Sequence, residues 1–117
     1  MLDATNIVLG ILRGALSVDV TTDIPKDRPG RLVLVDLTGD QSDAFILRPR
    51  YTLTCWGESD SDAHGIALSA VQALQEASMG HALLSSCDLE TMSREEWSRN
   101  GQSRYMAVVD LTINTDE

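Results

Sequence analysis

The strongest constraint on the fold lies in the middle of the chain, where the hydrophobic pattern changes from strand spacing to helix spacing. Residues 51–57 (YTLTCWG) alternate and predict a strand, and residues 60–78 repeat small apolar side chains at helical positions. The SDSD segment at 59–62 is typical of a helix start, because serine caps free N–H groups and acids favour the positive end of the helix dipole. Gly80 is suited to end this helix. The chain therefore joins a strand directly to a long helix.

The rest of the chain predicts one more helix, at residues 3–16, and several more strands. We place these strands at 17–22, 31–37, 83–92 and 104–114, with a further short apolar run at 44–47. Segment 38–43 reads as a turn or loop, and segment 93–103 as an exposed polar excursion. The strand at 31–37 (RLVLVDL) is apolar on both faces until Asp36, which predicts a central position covered on both sides.

This order of elements predicts the α+β class. We expect a two-layer sandwich, with two helices packed on one face of a mostly antiparallel sheet of four to five strands. A chain of 117 residues provides one core, so a single domain covers 1–117.

The charge balance limits the possible partners. Eighteen Asp and Glu residues against nine Lys and Arg give a formal net charge of −9. That balance argues against general nucleic-acid binding and against an anionic membrane surface, since both need cations. We see neither a secretion signal nor a membrane span in the pattern. Cys55 and Cys87 are expected to be buried thiols in a reducing compartment.

No set of residues in the sequence has the spacing of a reactive centre. His64 and His81 share no Cys or acid at metal-ligand spacing, and a cysteine nucleophile would need a histidine partner and a group that orients it, which we do not find for Cys55 or Cys87. Segment 36–43 loosely resembles a calcium loop but has Leu47 where a bidentate Glu is needed. Glycine-rich phosphate loops do not occur. We therefore predict no catalytic, metal or cofactor-binding residues, and no enzyme.

Five side chains are candidate contacts with another subunit or with a partner protein. Arg28, Arg31, Arg48 and Arg50 concentrate positive charge, and they either pair with the many acids or contact another subunit. Trp97 is isolated in a polar segment, where it either anchors a partner surface or folds back onto the core.

Four features, found in this order along the chain, support a resemblance to a known family. The first is an N-terminal helix that leads into VDVTTDIPKDRPGRLVLV with its P-x-x-R-P loop, and the second is the Arg48-Pro49-Arg50 segment that opens YTLTCWG. The third is the acid-capped, alanine-rich helix, and the fourth is a Tyr-containing final strand that ends in VVDLTIN. In this arrangement the chain resembles the tail terminator, or tail-completion, proteins of long-tailed bacteriophages (siphophages).

The resemblance implies a structural virion protein without a cofactor. Such a protein forms a homohexameric ring that caps the head-proximal end of the tail tube, ends tube polymerisation and joins the tail to the head. Its partners would be copies of itself, the tail tube protein and a head-completion or neck protein, with no membrane involved. Double-stranded DNA would pass through the lumen without specific binding, and some of the excess acids would face that channel. Assembly in the host cytoplasm would place it at the head–tail junction of the virion.

Three other functions are left open by the sequence. The chain could be another head–tail connector or neck subunit of the virion. It could be a monomeric small-ligand-binding domain with a ferredoxin-like sheet, which would need a concave pocket with converging polar groups. An enzyme, the least favoured of the three, would need reactive groups within mutual reach, and we find no such set in the sequence.

Overall fold

The computed structural model describes residues 4–24, 26, 30–43, 46–80, 84–95 and 103–114. These residues contain two helices and one mixed sheet, so the predicted α+β class is confirmed. The elements are α1 (Ala4–Ala15), β1 (Asp19–Thr21), β2 (Leu32–Asp40), β3 (Ile46–Leu47), β4 (Pro49–Gly57), α2 (Asp60–Gly80), β5 (Leu84–Glu95) and β6 (Ser103–Asn114).

The sheet is strongly curled and runs in the order β1, β2, β4, β6, β5. Only the pairing of β1 with β2 is parallel. All the other pairings of described strands are antiparallel. The short strand β3 pairs with β6 in the same register that β4 follows, so β3 and β4 are one strand interrupted at Arg48.

The core lies between the helices and one face of the sheet. α2 packs against β4, β5 and β6, while α1 packs against α2 and the β1–β2 edge. Three alanines of α2 are completely buried, which lets this helix lie close to the sheet. The fully buried side chains around them are Val8, Leu12, Val33, Leu53, Cys55, Leu74, Ala107 and Val109. Neither of the two described helices combines enough length with enough hydropathy to cross a bilayer.

The start of α2 has the capping geometry that the SDSD segment predicts. The Ser59 hydroxyl accepts a hydrogen bond from the Asp62 N–H at 3.0 Å, and the Ser59 carbonyl accepts one from the Ala63 N–H at 2.9 Å. The Asp62 carboxylate reaches back to the Glu58 N–H at 2.9 Å. These bonds satisfy backbone N–H groups at the start of α2, which have no hydrogen-bond acceptor inside the helix itself.

Gly57 joins β4 to this cap at very close range. A Cβ at position 57 would lie 2.3 Å from the Ala63 backbone nitrogen and 2.7 Å from the Ala63 Cα. Only a residue without a side chain fits where the strand end meets the first turn of α2.

The prediction that strand 31–37 is central and covered on both faces holds only for the first half of the strand, where Leu32 and Val33 point to opposite faces and are both completely buried. β4 is the strand buried along nearly its whole length, with only Arg50 partly exposed. β2 has a second neighbour only at Leu32–Leu34, because β1 has three residues, and Asp36 and Leu37 are exposed.

Two predicted irregular segments are partly strand. β2 extends through Asp40, where the prediction placed a turn, because its end pairs with Pro49 at the start of β4. Likewise β5 continues through Glu95 and β6 starts at Ser103, so the ends of the predicted 93–103 excursion belong to a hairpin. Proline is accommodated as the first residue of β4, one of the few strand positions where its missing N–H is tolerated.

Candidate assembly surfaces

Arg31 connects the start of β2 to the first turn of α2. Its Nε and Nη2 donate to the two oxygens of the Asp62 carboxylate, each at 3.1 Å. The Glu58 N–H and this guanidinium together hold the pKa of Asp62 below its ordinary value. Arg31 therefore contributes to the fold, and its side chain remains partly exposed to solvent.

Arg50 lies on the sheet face opposite the helices, where it faces Asp110 across the β4–β6 ladder. Its Nε and Nη2 donate to the Asp110 carboxylate at 2.7 and 3.0 Å, and the Glu90 carboxylate is 3.9 Å away. Hydrogen bonding and the charge of Arg50 lower the pKa of Asp110. The bidentate pair fixes the orientation of both side chains.

The structure does not gather the predicted arginine candidates into one site. Arg48 is exposed in the interruption between β3 and β4, close to Arg50 but at the other end of the sheet from Arg31. Along β2, Leu32, which follows Arg31, and Gly39, which pairs with Arg50, are about 23 Å apart at the usual strand rise. Arg28 and Trp97 lie outside the described residues, so their predicted contacts stay predictions.

The Arg50–Asp110 pair predicts a pH dependence of stability at the acid end. The folded-state pKa of Asp110 is lowered, so its contribution is fully present above the ordinary carboxyl pKa of about 4 and is lost as the pH falls through the lowered value. We expect Asp110→Asn to be less stable than wild type at pH 7 and equally stable well below pH 4. Urea unfolding at several pH values measures this difference, which is small because the pair is solvent-accessible.

Asp36→Asn is the matched control, because Asp36 is an exposed aspartate on the same sheet with the same change of charge. If both variants show the same pH profile, Arg50 does not act on Asp110 in the way described.

The histidine and acid candidates of the sequence have structural partners. His64 stacks on Tyr105, with ring centroids 4.7 Å apart and the rings inclined by 16°. Asp60 accepts a hydrogen bond from Arg94 of β5 at 2.7 Å, and Asp62 pairs with Arg31 just before β2, so both acids of the SDSD segment form ion pairs with arginines. Asp40, in the segment compared with a calcium loop, accepts hydrogen bonds from the Ser42 N–H and hydroxyl. His81 lies outside the described residues.

Both cysteines are buried, as predicted. Burial raises the pKa of Cys55 to about 12, and burial together with the neighbouring Asp88 charge raises the pKa of Cys87 to about 11. Both side chains are therefore protonated thiols at neutral pH and weak nucleophiles. Within the described ranges, three or more His, Cys, Asp or Glu side chains do not come together as possible metal ligands.

The sheet has two edges without a neighbour in the described part of the chain. Among the described strands β5 pairs only with β6, so no described strand lies on the other side of this twelve-residue strand. β2 is open on one side from Val35 to Asp40, because β1 covers only its first three residues. Open edges carry unpaired N–H and C=O groups that can bind another strand.

Two exposed leucines lie on these two edges. Leu37 of β2 is 50 % exposed and Leu89 of β5 is 41 % exposed, although the core side chains between them are buried. The sequence analysis did not select either residue. Alternation places Leu37 on the same face as Val33 and Val35, so the sequence pattern suggests burial, and only the packing of the helices leaves Leu37 exposed.

The outward side of α2 is a third candidate surface. Leu68 is 50 % exposed there and Met79 is also exposed, and Glu76 is the only charged residue of α2 after its first turn. Interface cores are depleted in charge and enriched in methionine, so this side also fits a partner.

A scan of the chain against models of known protein families finds no match, and a search among curated proteins finds none either. Any functional conclusion therefore rests on the residues and on the geometry described above.

Proposed function

We propose that this chain is a structural subunit that forms a ring at the head-proximal end of a long-tailed phage tail tube. There it ends tube polymerisation and joins the tail to the head. The observation that carries the proposal is the pair of unlike open edges on opposite sides of one sheet. A subunit with two different binding edges can make head-to-tail contacts, which close into a ring when the rotation between copies allows it.

The segments that resemble tail terminators also support the proposal, because they coincide with the elements of the fold. The N-terminal segment contains α1 and leads to β2, Arg48-Pro49-Arg50 opens β4, the capped alanine-rich segment is α2, and the Tyr-containing segment is β6. The resemblance therefore covers both helices and the main strands of the described chain.

The dimensions of the subunit suit a ring that DNA can pass. Its principal extents are 45 × 25 × 23 Å. With the long axis along the ring axis, six touching copies would leave an opening about as wide as one copy. A duplex about 20 Å wide, with its 12 Å major groove, fits through such an opening.

The net charge of −9 suits a channel through which DNA slides. DNA carries one negative charge per about 1.7 Å of its axis, so acidic walls would repel it and prevent binding. We place part of the acidic excess on the channel wall, with double-stranded DNA as a passing and not a bound partner.

Electron microscopy of tail tubes tests the proposed function. The purified chain, mixed with tubes assembled from the tail tube protein of the phage that encodes it, is expected to form a cap at one end of each tube and to stop tube growth. Tubes without the added chain are the control and should keep growing. A chain that leaves the tube ends uncapped and the tube length unchanged would contradict the proposal.

The same experiment separates the alternatives. A different neck or connector subunit would bind tails that are already terminated, or heads, but not bare tubes. A small-ligand-binding domain would remain monomeric by mass measurement at every protein concentration and in the presence of tubes.

A further inference from the structure

We infer that copies of this chain join edge to edge, with β5 of one copy pairing with β2 of the next, so that one sheet continues from subunit to subunit. The inference deepens the proposed function and rests on it, since it takes the partner to be a second copy in head-to-tail contact. It assigns the interface to Cys87–Met92 of β5 and Val35–Asp40 of β2.

Strand direction favours this junction. β2, β4, β6 and β5 alternate in direction, because each neighbouring pair is antiparallel, so β5 runs opposite to β2. If every copy has the same orientation along the ring axis, β5 of one copy is antiparallel to β2 of the next. The added pairing then repeats the alternation inside the subunit and is the more stable of the two strand arrangements.

The two exposed leucines define the register of the junction. Leu37 pairs with Tyr51, Tyr51 with Val109, and Val109 with Leu89, so these four side chains form one row across the helix-side face. The two inner members are fully buried, and the two outer ones are exposed on the two open edges. In a sheet continued in register, Leu89 would lie directly beside Leu37 of the next copy, about 5 Å away, and both would be covered.

The charged residues next to these leucines are all acidic. Antiparallel pairing of Leu89 with Leu37 sets Asp88 beside the uncharged Thr38, but it sets Glu90 beside Asp36 of the next copy. Like charges directly opposite one another destabilise a strand pair, so this register lowers the stability of the junction at Glu90. The Glu90 carboxylate lies 3.9 Å from Arg50 of its own copy, which offsets part of that repulsion.

β1 limits the length of the junction. It occupies the edge of β2 at Leu32–Leu34, so a strand from another copy can pair only with the residues that follow. The irregularity between Leu89 and Thr91 in β5, and the one between Leu37 and Gly39 in β2, leave short regular segments on each side of the leucine pair. A contact this short suits a ring that assembles from separate subunits. A short open edge in the free subunit is also less prone to unwanted pairing with other strands.

The long axis of the subunit agrees with such a ring. β5 and β6 have twelve residues each, which corresponds to about 40 Å at the usual strand rise and is close to the longest extent of 45 Å. When this axis lies along the ring axis, the open edges face the neighbouring copies.

Cysteine cross-linking tests the register directly. Leu37→Cys and Leu89→Cys are made as single variants and as a double variant, all with Cys87→Ala because Cys87 lies two residues from position 89. After oxidation, the mixed single variants are expected to form a disulfide-linked dimer, on the order of tenfold more than either single variant alone. The double variant is expected to form a series of larger covalent oligomers that dithiothreitol returns to the monomer.

The matched control combines Leu37→Cys with Leu68→Cys, because Leu68 has the same 50 % exposure but lies on α2. Dimer yields from this control, or from identical single variants, that equal the yield of the mixed variants would overturn the inference, since both indicate a contact without the 37–89 register. An oligomer confirmed by mass spectrometry in which positions 37 and 89 do not cross-link would also overturn it.

A second set of variants does not depend on disulfide chemistry. Leu37→Glu and Leu89→Lys each place a charge in the proposed junction and are expected to reduce the mass of the assembly to that of the monomer. Mixing the two variants is expected to restore assembly, while Leu68→Lys should leave it unchanged. Assembly that survives both charged variants would contradict the inference.

Failure of this inference is distinguishable from failure of the proposed function. A chain that caps tubes without a 37–89 cross-link retains the function and loses this interface. A chain that cross-links in register but leaves tube ends uncapped retains the interface and loses the tail-terminating role. A monomer under every condition, tubes included, would end both.

Discussion

Gly57→Ala is expected to destabilise the protein by about 3 kcal/mol or more, although it adds a single methyl group. The new Cβ would lie 2.3 Å from the Ala63 nitrogen, 2.7 Å from its Cα and 2.9 Å from the Asp62 carbonyl carbon. All three are backbone atoms, so the clash cannot be relieved by rotating a side chain. The start of α2 must instead move away from β4.

That movement would affect several interactions at once. The Ser59 cap and the Arg31–Asp62 pair both depend on where the first turn of α2 meets the sheet. The buried Ala63 would also lose its close contact with β4. Because whole domains are stable by only about 5–15 kcal/mol, the variant should have a clearly lower urea midpoint when helix content is followed by circular dichroism.

Gly65→Ala is the matched control for this prediction. Gly65 lies in the same helix, two residues after Ala63, and a Cβ there has no other atom within 4 Å. Alanine is the better helix former by about 1 kcal/mol, so this variant is expected to stabilise the protein. A loss of stability in both variants, or in neither, would contradict the close approach of β4 and α2 at Gly57.

Tyr51→Ala is expected to destabilise the protein by about 3–5 kcal/mol. Tyr51 lies on the central strand β4, is completely buried and belongs to the core beneath the helices. Removing its ring would leave a large cavity between the sheet and α1. Its hydroxyl also forms a hydrogen bond of 2.9 Å with the Thr5 hydroxyl in the first turn of α1.

Tyr51→Phe separates the ring from this hydrogen bond. It retains the buried ring and removes the hydroxyl, so we expect a loss of only about 1 kcal/mol. Thr5→Val removes the other partner with nearly the same shape, and a double-mutant cycle with Tyr51→Phe measures the coupling between the two positions. A coupling near zero, or a Phe variant as unstable as the Ala variant, would contradict this account of how α1 is held to the sheet.

Assembly provides an independent readout for these stability variants. Neither Tyr51→Phe nor Gly65→Ala alters the open edges of β2 and β5. Both should therefore cap tubes as wild type does, provided they are folded. A folded Tyr51→Phe variant that fails to assemble would show that the position of α1 matters for the proposed interface.

Local features of the sequence determined both helices and the positions of most strands. The change of hydrophobic period near residue 58 and the serine cap of α2 depend on residues within a few positions of one another, so a single sequence contains the information. For the same reason the α+β class and the burial of both cysteines were predicted correctly.

The tertiary structure alone decided which strand is central and which polar and apolar residues face solvent. The Arg50–Asp110 pair joins positions sixty residues apart, and Leu37 is exposed only because the helices do not cover the end of its row. β4 is the buried strand because it pairs with β2 on one side and β6 on the other and lies under α2, whereas β1 covers only the first three residues of β2. These outcomes depend on contacts between distant segments, and the periodicity of one segment holds no information about which segments will cover it.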